Sequence, residues 1–268
     1  MKSPKELVLE QRLLALLDSK EKSHELGKML VEDDEIQHLQ EYANTVAIKR
    51  LGYNDHGPVH MRQVAYNAIV MLHLLHEAGV QTSLEKEDAG SFDDSLCAVL
   101  LSSFLHDLGM TVSRTDHELS GCIIARPLMD RILKNLFPGD IEKQVSILSL
   151  ATEGILGHMA TRQIHSIEAG LVLVADGCDM EKGRARIPLI IGTEAKVGDI
   201  HKYSAASIEN VSISKGEKKP IKIEVEMSSE VGFFQVEEVL LPKIQKSPDR
   251  CYVEVYAFLT GEKRKQYL

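Results

Sequence analysis

The stretch SFLHDLGM, Ser103 to Met110, sets a histidine beside an aspartate where an otherwise apolar run ends. Neutral imidazole and carboxylate both donate lone pairs to divalent first-row metals. Neighbours on a helix point about 100° apart, so His106 and Asp107 can grip one ion from a single helix end. Two ligands alone hold an ion weakly, and partners must come from other helices. His60 shares a helix face with Val64, Asn67 and Met71, and so points along a partly buried stripe. Asp176 directly follows the apolar run of LVLVADGCDM, where a carboxylate is costly to bury without a compensating cation. His60, His106, Asp107 and Asp176 together offer two nitrogens and two oxygens and leave positions open for water. Each also has an ordinary structural reading, as a hydrogen-bonded core histidine or as a cap or ion-pair aspartate. That ordinary reading is kept for His24, His38, His73, His76 and His201. His56 precedes a Gly-Pro pair outside the helix and is placed at the edge of the site without binding metal.

The elements that must carry these residues are mostly helical. From Pro4 to about Leu51 apolar residues recur at helical spacing, which predicts two or three amphipathic helices. Gly57 and Pro58 mark the start of a helix that runs to Gly79. Residues 80–94 read as a loop, and Asp93, Asp94 or Ser95 as the cap of the helix that ends at Gly109. Further helices are expected at about 117–135, 139–157 and 163–181. Beyond residue 188 the texture changes: isoleucine and valine alternate with polar residues in SIENVSIS, PIKIEVEM and CYVEVYAF, which reads as three strands. Between the last two, Phe233, Val236, Val239, Leu240 and Ile244 share one helix face, with Pro242 expected to kink or shorten that helix. The chain is therefore mainly α: a helical domain over 1–188, with N-terminal helices in 1–50, followed by a small α/β domain over 189–268.

The chain has 268 residues, 44% of them hydrophobic, which suffices for a sizeable core. A net charge of −9 disfavours bulk nucleic acid and anionic membranes as partners, so an anionic substrate must find local positive charge. Lys182, Arg184 and Arg186 supply such charge within ten residues of Asp176. A solvated helix end is their ordinary reading. Four scattered cysteines with no CxxC pair argue against a zinc ribbon or a disulfide framework and fit a reducing cytoplasm. The first residues carry charge too early for a signal peptide, and no apolar run approaches the roughly 20 residues that span a bilayer.

With these residues in place, the chain resembles the HD superfamily of metal-dependent phosphohydrolases over about residues 50–190. In that family a first histidine on an early helix, a His-Asp pair ending a later helix and a distant aspartate on a final helix hold the metal. HGPVHMRQV matches the first with His60, FLHDLG carries His106 and Asp107, and VADGCDM carries Asp176. Members with a second metal add two histidines and let the motif aspartate bridge the ions. DHELSGCIIA and GILGHM resemble the segments that carry them, which would make His117 and His158 those ligands. Many relatives place a lysine after the HD-(Ile/Leu)-Gly turn, where this chain has Met110.

The resemblance implies an HD-type helical bundle and hydrolysis of a phosphoester, a nucleotide or another small phosphate ester. It also implies one or two divalent ions (Mn, Fe, Co, Ni, Zn or Mg) that activate water and neutralise a phosphoryl oxygen. Asp107 and His56 take the catalytic roles, and Asp55, His56 and Arg62 flank the first ligand to orient water or substrate. Lys182, Arg184, Arg186 and Arg62 are candidates for the substrate phosphate. Two further readings are a di-iron oxygenase using the same ligands and a nucleotide-binding regulatory module without turnover. The thin C-terminal sheet needs cover at its edges, which favours a homodimer.

Overall fold

A computed structural model of the protein describes residues 2–181 and 200–268. The expected boundary at 188/189, together with Lys182, Arg184 and Arg186, lies outside the described residues. The helical part contains α1 (Pro4–Ala15), α2 (Lys22–Glu32), α3 (Asp34–Thr45, continued by a π turn Val46–Arg50), α4 (Pro58–Glu77) and the short α5 (Ser83–Lys86). It continues with α6 (Phe92–Leu105), α7 (His117–Leu136), α8 (Ile141–Gly157) and α9 (Ile167–Cys178). The sequence pattern anticipates these helices to within a few residues, except for α5, which lies inside the stretch read as a loop.

α6 is apolar on every side, and Leu96 through Leu105 are all buried, as expected of a helix enclosed by others. It packs against α2, α4, α8 and α9. Its cap is Ser91, not one of residues 93–95: the Ser91 hydroxyl accepts from Asp94 N while the Asp94 side chain reaches back to Ser91 N. Asp94 is thus the returning half of a capping box. α9 is likewise buried along its whole length and is capped by Ser166, which accepts from Ala169 N.

After α10 (Ile200–Ala206) the chain forms strands β1 (Ile208–Lys215), β2 (Ile221–Met227), β3 (Val253–Leu259) and β4 (Lys265–Gln266) in the order β1-β2-β3-β4. β1 and β2 are antiparallel with Ile213 opposite Ile223, whereas β2 and β3 are parallel with Ile223 opposite Val255. A parallel pair needs a crossover. Here it is the helical run 230–246, called α11, which includes a π turn Val236–Leu240 and a final α stretch Leu241–Lys246. Pro242 stands in the first turn of that last stretch, directly after the π turn, so the run continues past it. Val236, Leu240 and Ile244 of α11 are buried together with Ile221, Ile223 and Val225 of β2 and Val253 and Val255 of β3. These residues join the core of α4, α6 and α9, and α11 lies against α9. Among the described residues, no helix is long and apolar enough to cross a membrane.

Candidate metal centre

The four residues singled out first, and the two added by resemblance, meet in one buried place. His60 enters from the first turn of α4, and His106 and Asp107 from the end of α6. His117 comes from the first residue of α7, His158 from the end of α8 and Asp176 from the last turn of α9. Every one is at most 9% exposed. Helix ends suit this task because their side chains project past the packed bundle to a common point.

The donor atoms form two groups that share one carboxylate. Asp107 Oδ2 lies 3.3 Å from His60 Nε2 and 3.4 Å from His106 Nε2. Asp107 Oδ1 lies 3.2 Å from His117 Nε2 and 3.4 Å from His158 Nε2. Asp176 adds Oδ1 at 3.2 Å from His60 Nε2. Two ligands about 2.1 Å from one ion and 90–110° apart are themselves about 3.0–3.4 Å apart. The observed separations match that spacing.

The second nitrogen of each ring decides the proton. Nδ1 faces the carbonyl of Ser103 in His106 (2.9 Å), of Arg114 in His117 (2.9 Å) and of Ile155 in His158 (2.7 Å). In His60 it faces Asp179 Oδ2 at 2.6 Å. Each acceptor assigns the proton to Nδ1 and leaves Nε2 as a lone-pair donor. Yet His60 Nε2 and His106 Nε2 stand 3.1 Å apart, and His117 Nε2 and His158 Nε2 stand 3.0 Å apart. Two facing lone pairs repel unless a cation lies between them. Protonation is disfavoured at His158, whose pKa burial pushes down to about 4. The donor set therefore fits a metal ion, and both buried triads, His60–His106–Asp107 and Asp107–His117–His158, could hold one.

Burial alone would push the Asp107 and Asp176 carboxyls up. At Asp107 positive charge on the neighbouring His106 and His56 outweighs it and holds the group well below its usual range, a part that a metal cation would take over once the imidazoles are neutral ligands. At Asp176 Lys243 and His60 do so. Both are ionised, as ligation requires.

His56 is buried at the rim, its ring 5.9 Å from that of His60 and its Nδ1 2.7 Å from Asn54 O. Asp55 accepts from Gly57 N and shapes the turn before α4. Arg62 corrects the sequence reading. Its guanidinium is buried and engaged away from the centre, with Glu10 Oε1 (2.7 Å), Gln40 Oε1 (2.7 Å), Gln37 Oε1 (2.8 Å) and Pro58 O (3.1 Å), so it joins α1, α3 and α4 rather than meeting a substrate phosphate. His73 and His76 pack on Phe92, consistent with their structural reading.

Three residues escaped the sequence reading. Asp179 lies one turn beyond Asp176, a spacing that could have flagged it. Arg114, whose NH1 is 3.4 Å from His117 Nε2, sits in the turn before α7. Lys243 of α11 pairs with Asp176 and donates to His158 O at 2.9 Å, across 67 and 85 residues of chain, a separation that carries no local signal.

Fold and site define a mainly helical protein with a small C-terminal sheet, in which buried histidine and aspartate groups could hold a metal ion. The chain belongs to the family of the uncharacterized protein MJ1020 of Methanocaldococcus jannaschii, to which it is 43% identical over 234 residues, 87% of this chain and 88% of that relative. No family model matches the chain, and no solved structure matches it.

Proposed function

We propose that the protein is a metal-dependent phosphohydrolase of the HD type with two divalent ions, acting on a small phosphoester such as a nucleotide. The observation that carries this reading is Asp107, which turns one oxygen toward His60 and His106 and the other toward His117 and His158. In that arrangement His60, His106 and Asp107 would hold one ion and Asp107, His117 and His158 a second. Divalent ions held there would supply Lewis acidity toward a phosphoryl oxygen and toward water.

The chain's own part is positional and electrostatic. Asp179 fixes the His60 ring and raises its basicity, and the backbone carbonyls of Ser103, Arg114 and Ile155 do the same for His106, His117 and His158. Burial keeps bulk water from competing with the substrate. His56, beside the first triad, is the group we assign to orienting the attacking water. Lys182, Arg184 and Arg186 belong to the proposal on sequence grounds alone, as phosphate-binding cations.

The test is metal analysis of the purified protein together with a panel of phosphomonoesters, phosphodiesters and nucleotides. About two ions per chain with turnover of one phosphoester class is the expected result. Bound iron with oxygen-dependent turnover would favour the oxygenase reading, which uses the same paired donors. Metal and nucleotide binding without turnover would favour a regulatory module. We also propose a cytoplasmic homodimer, and light scattering that reads a monomer would remove the second half of that statement.

A further inference from the structure

Lys243 comes to the metal centre from a part of the chain that the sequence pattern sets apart from it. Its side chain is 12% exposed. α11 can bring it there because α9 carries glycine at the crossing: a Cβ on Gly177 would stand 3.1 Å from Lys243 Cδ and 3.3 Å from Leu240 Cδ1. The ammonium then meets Asp176 Oδ2 and the carbonyl oxygen of His158. Asp176 is thereby divided, with Oδ1 toward His60 Nε2 and Oδ2 toward the lysine. The lysine thus ties Asp176, beside the first triad, to the backbone at the end of α8 that carries His158.

We propose that Lys243 is a substrate-contacting residue: its ammonium binds a non-bridging phosphoryl oxygen of the phosphoester at the metal centre, while holding Asp176 to one ligating oxygen. This rests on the phosphohydrolase reading above. An ammonium has three donors, and the two bonds named use two of them. The carboxylates of Asp107, Asp176 and Asp179 offset most of the charge that two divalent ions would bring, in a chain of net charge −9, so a fixed ammonium adds to the little that is left for an incoming phosphoester. A lysine is a compact point charge suited to phosphate. Among the described residues Arg114 is a second cation at this centre, on the His117 side, away from Asp176.

Lys243→Met keeps the length of the stem and removes the charge, and Lys243→Arg keeps the charge. The full-length, metal-loaded proteins are compared by metal content, melting temperature and calorimetric binding of inorganic phosphate, used as the probe. The Met variant is expected to keep its metal content and to bind phosphate about 10- to 100-fold more weakly, with the Arg variant recovering part of the loss. Unchanged phosphate affinity in the Met variant overturns the proposal. So does loss of metal in that variant, since the lysine would then serve Asp176 alone, and so does tighter metal binding, since it would then be a stand-in for the ion. If the unsubstituted protein holds metal but binds no phosphate, the phosphohydrolase reading falls, and the lysine contact with it.

Discussion

His60 Nδ1 lies 2.6 Å from Asp179 Oδ2, so the carboxylate that steadies the first histidine comes from the cap of α9, 119 residues away. A carboxylate behind a ligating imidazole fixes its tautomer and orientation, and its removal typically costs about 10- to 100-fold in metal affinity. Asp179→Ala is therefore expected to weaken metal binding by that factor while helicity stays unchanged. Competition against a chelator of known affinity measures it. Equal affinity in the variant would show that His60 needs no such support.

The shared carboxylate separates the two halves of the centre. His117→Ala and His158→Ala are each expected to lower the metal content from about two to about one, because they remove donors from one triad and leave the other intact. Asp107→Ala belongs to both triads and is expected to lose both ions. His106 and Asp107 stand at a helix end yet are buried, so the metal-free variants should also melt below the metal-free parent. Elemental analysis per chain decides, and an unchanged stoichiometry in both histidine variants would return those residues to structural roles.

How much of this was legible follows from where each signal lives. His60, His106, Asp107 and Asp176 sit at the ends of helices, two of them apolar throughout, where a histidine or aspartate stands out against its run, so residue type and helix context agree in the sequence alone. His117 and His158 became candidates only by resemblance, since nothing local distinguishes them from core histidines. Arg62 misled because proximity to His60 along the chain says nothing of direction: two residues on, its side chain leaves α4 on the side of α1 and α3. Lys243 could not be read, because its place depends on α11 lying over Gly177. The strands were visible as alternation, but the parallel pairing of β2 with β3 and the two-residue β4 are set by tertiary packing rather than by pattern.

Arg62 gives a prediction of the opposite kind from the ligands. Truncation to alanine removes the guanidinium from Glu10, which keeps Lys2 at 2.7 Å, and leaves the Gln40 and Gln37 side-chain oxygens without that donor, a loss of about 1–3 kcal/mol. Arg62→Ala should lower the denaturation midpoint strongly, while the fraction that stays folded keeps its metal content and its affinity for inorganic phosphate. Weakened phosphate binding at full stability would restore Arg62 to the substrate-binding role.

Asp249 sets a pH dependence away from the centre. Burial pushes its carboxyl well above the usual value and nearby Glu168 adds to the shift, against the Ser247 hydroxyl. One of its oxygens, Oδ1, has no hydrogen-bond partner. The folded chain therefore holds a proton here that the unfolded chain releases above its ordinary carboxyl pKa of about 4. This contribution to stability is full below that pH and is lost as pH rises toward the folded value. Asp249→Asn cannot ionise, so it should melt higher than the parent at pH 7 and about equally at pH 4. A variant that melts lower at pH 7, or shows the same difference at both pH values, would mean that the carboxyl is not held neutral.

The glycine of the HDLG turn ties the two triads together mechanically. Asp107 ends α6, and the 3-10 turn Leu108–Thr111 packs directly on the first turns of α7, which begins with His117. A Cβ on Gly109 would overlap the carbonyl oxygen of His117 and stand 2.6 Å from Gly121 N, both backbone atoms with no rotamer to yield. Gly109→Ala must therefore push α7 away from the turn. His117 Nε2 now lies 3.2 Å from Asp107 Oδ1, and a displacement of even about 1 Å takes it out of the range that two ligands of one ion can share. His60 and His106 reach Asp107 from α4 and α6 and are not levered by this contact. Gly109→Ala is thus expected to lower the metal content from about two toward one and to reduce thermal stability, with the ion at His60 and His106 retained. Elemental analysis with a melting curve tests it: two ions bound at full occupancy in the alanine variant would show that the close approach of turn and helix does not set the second site.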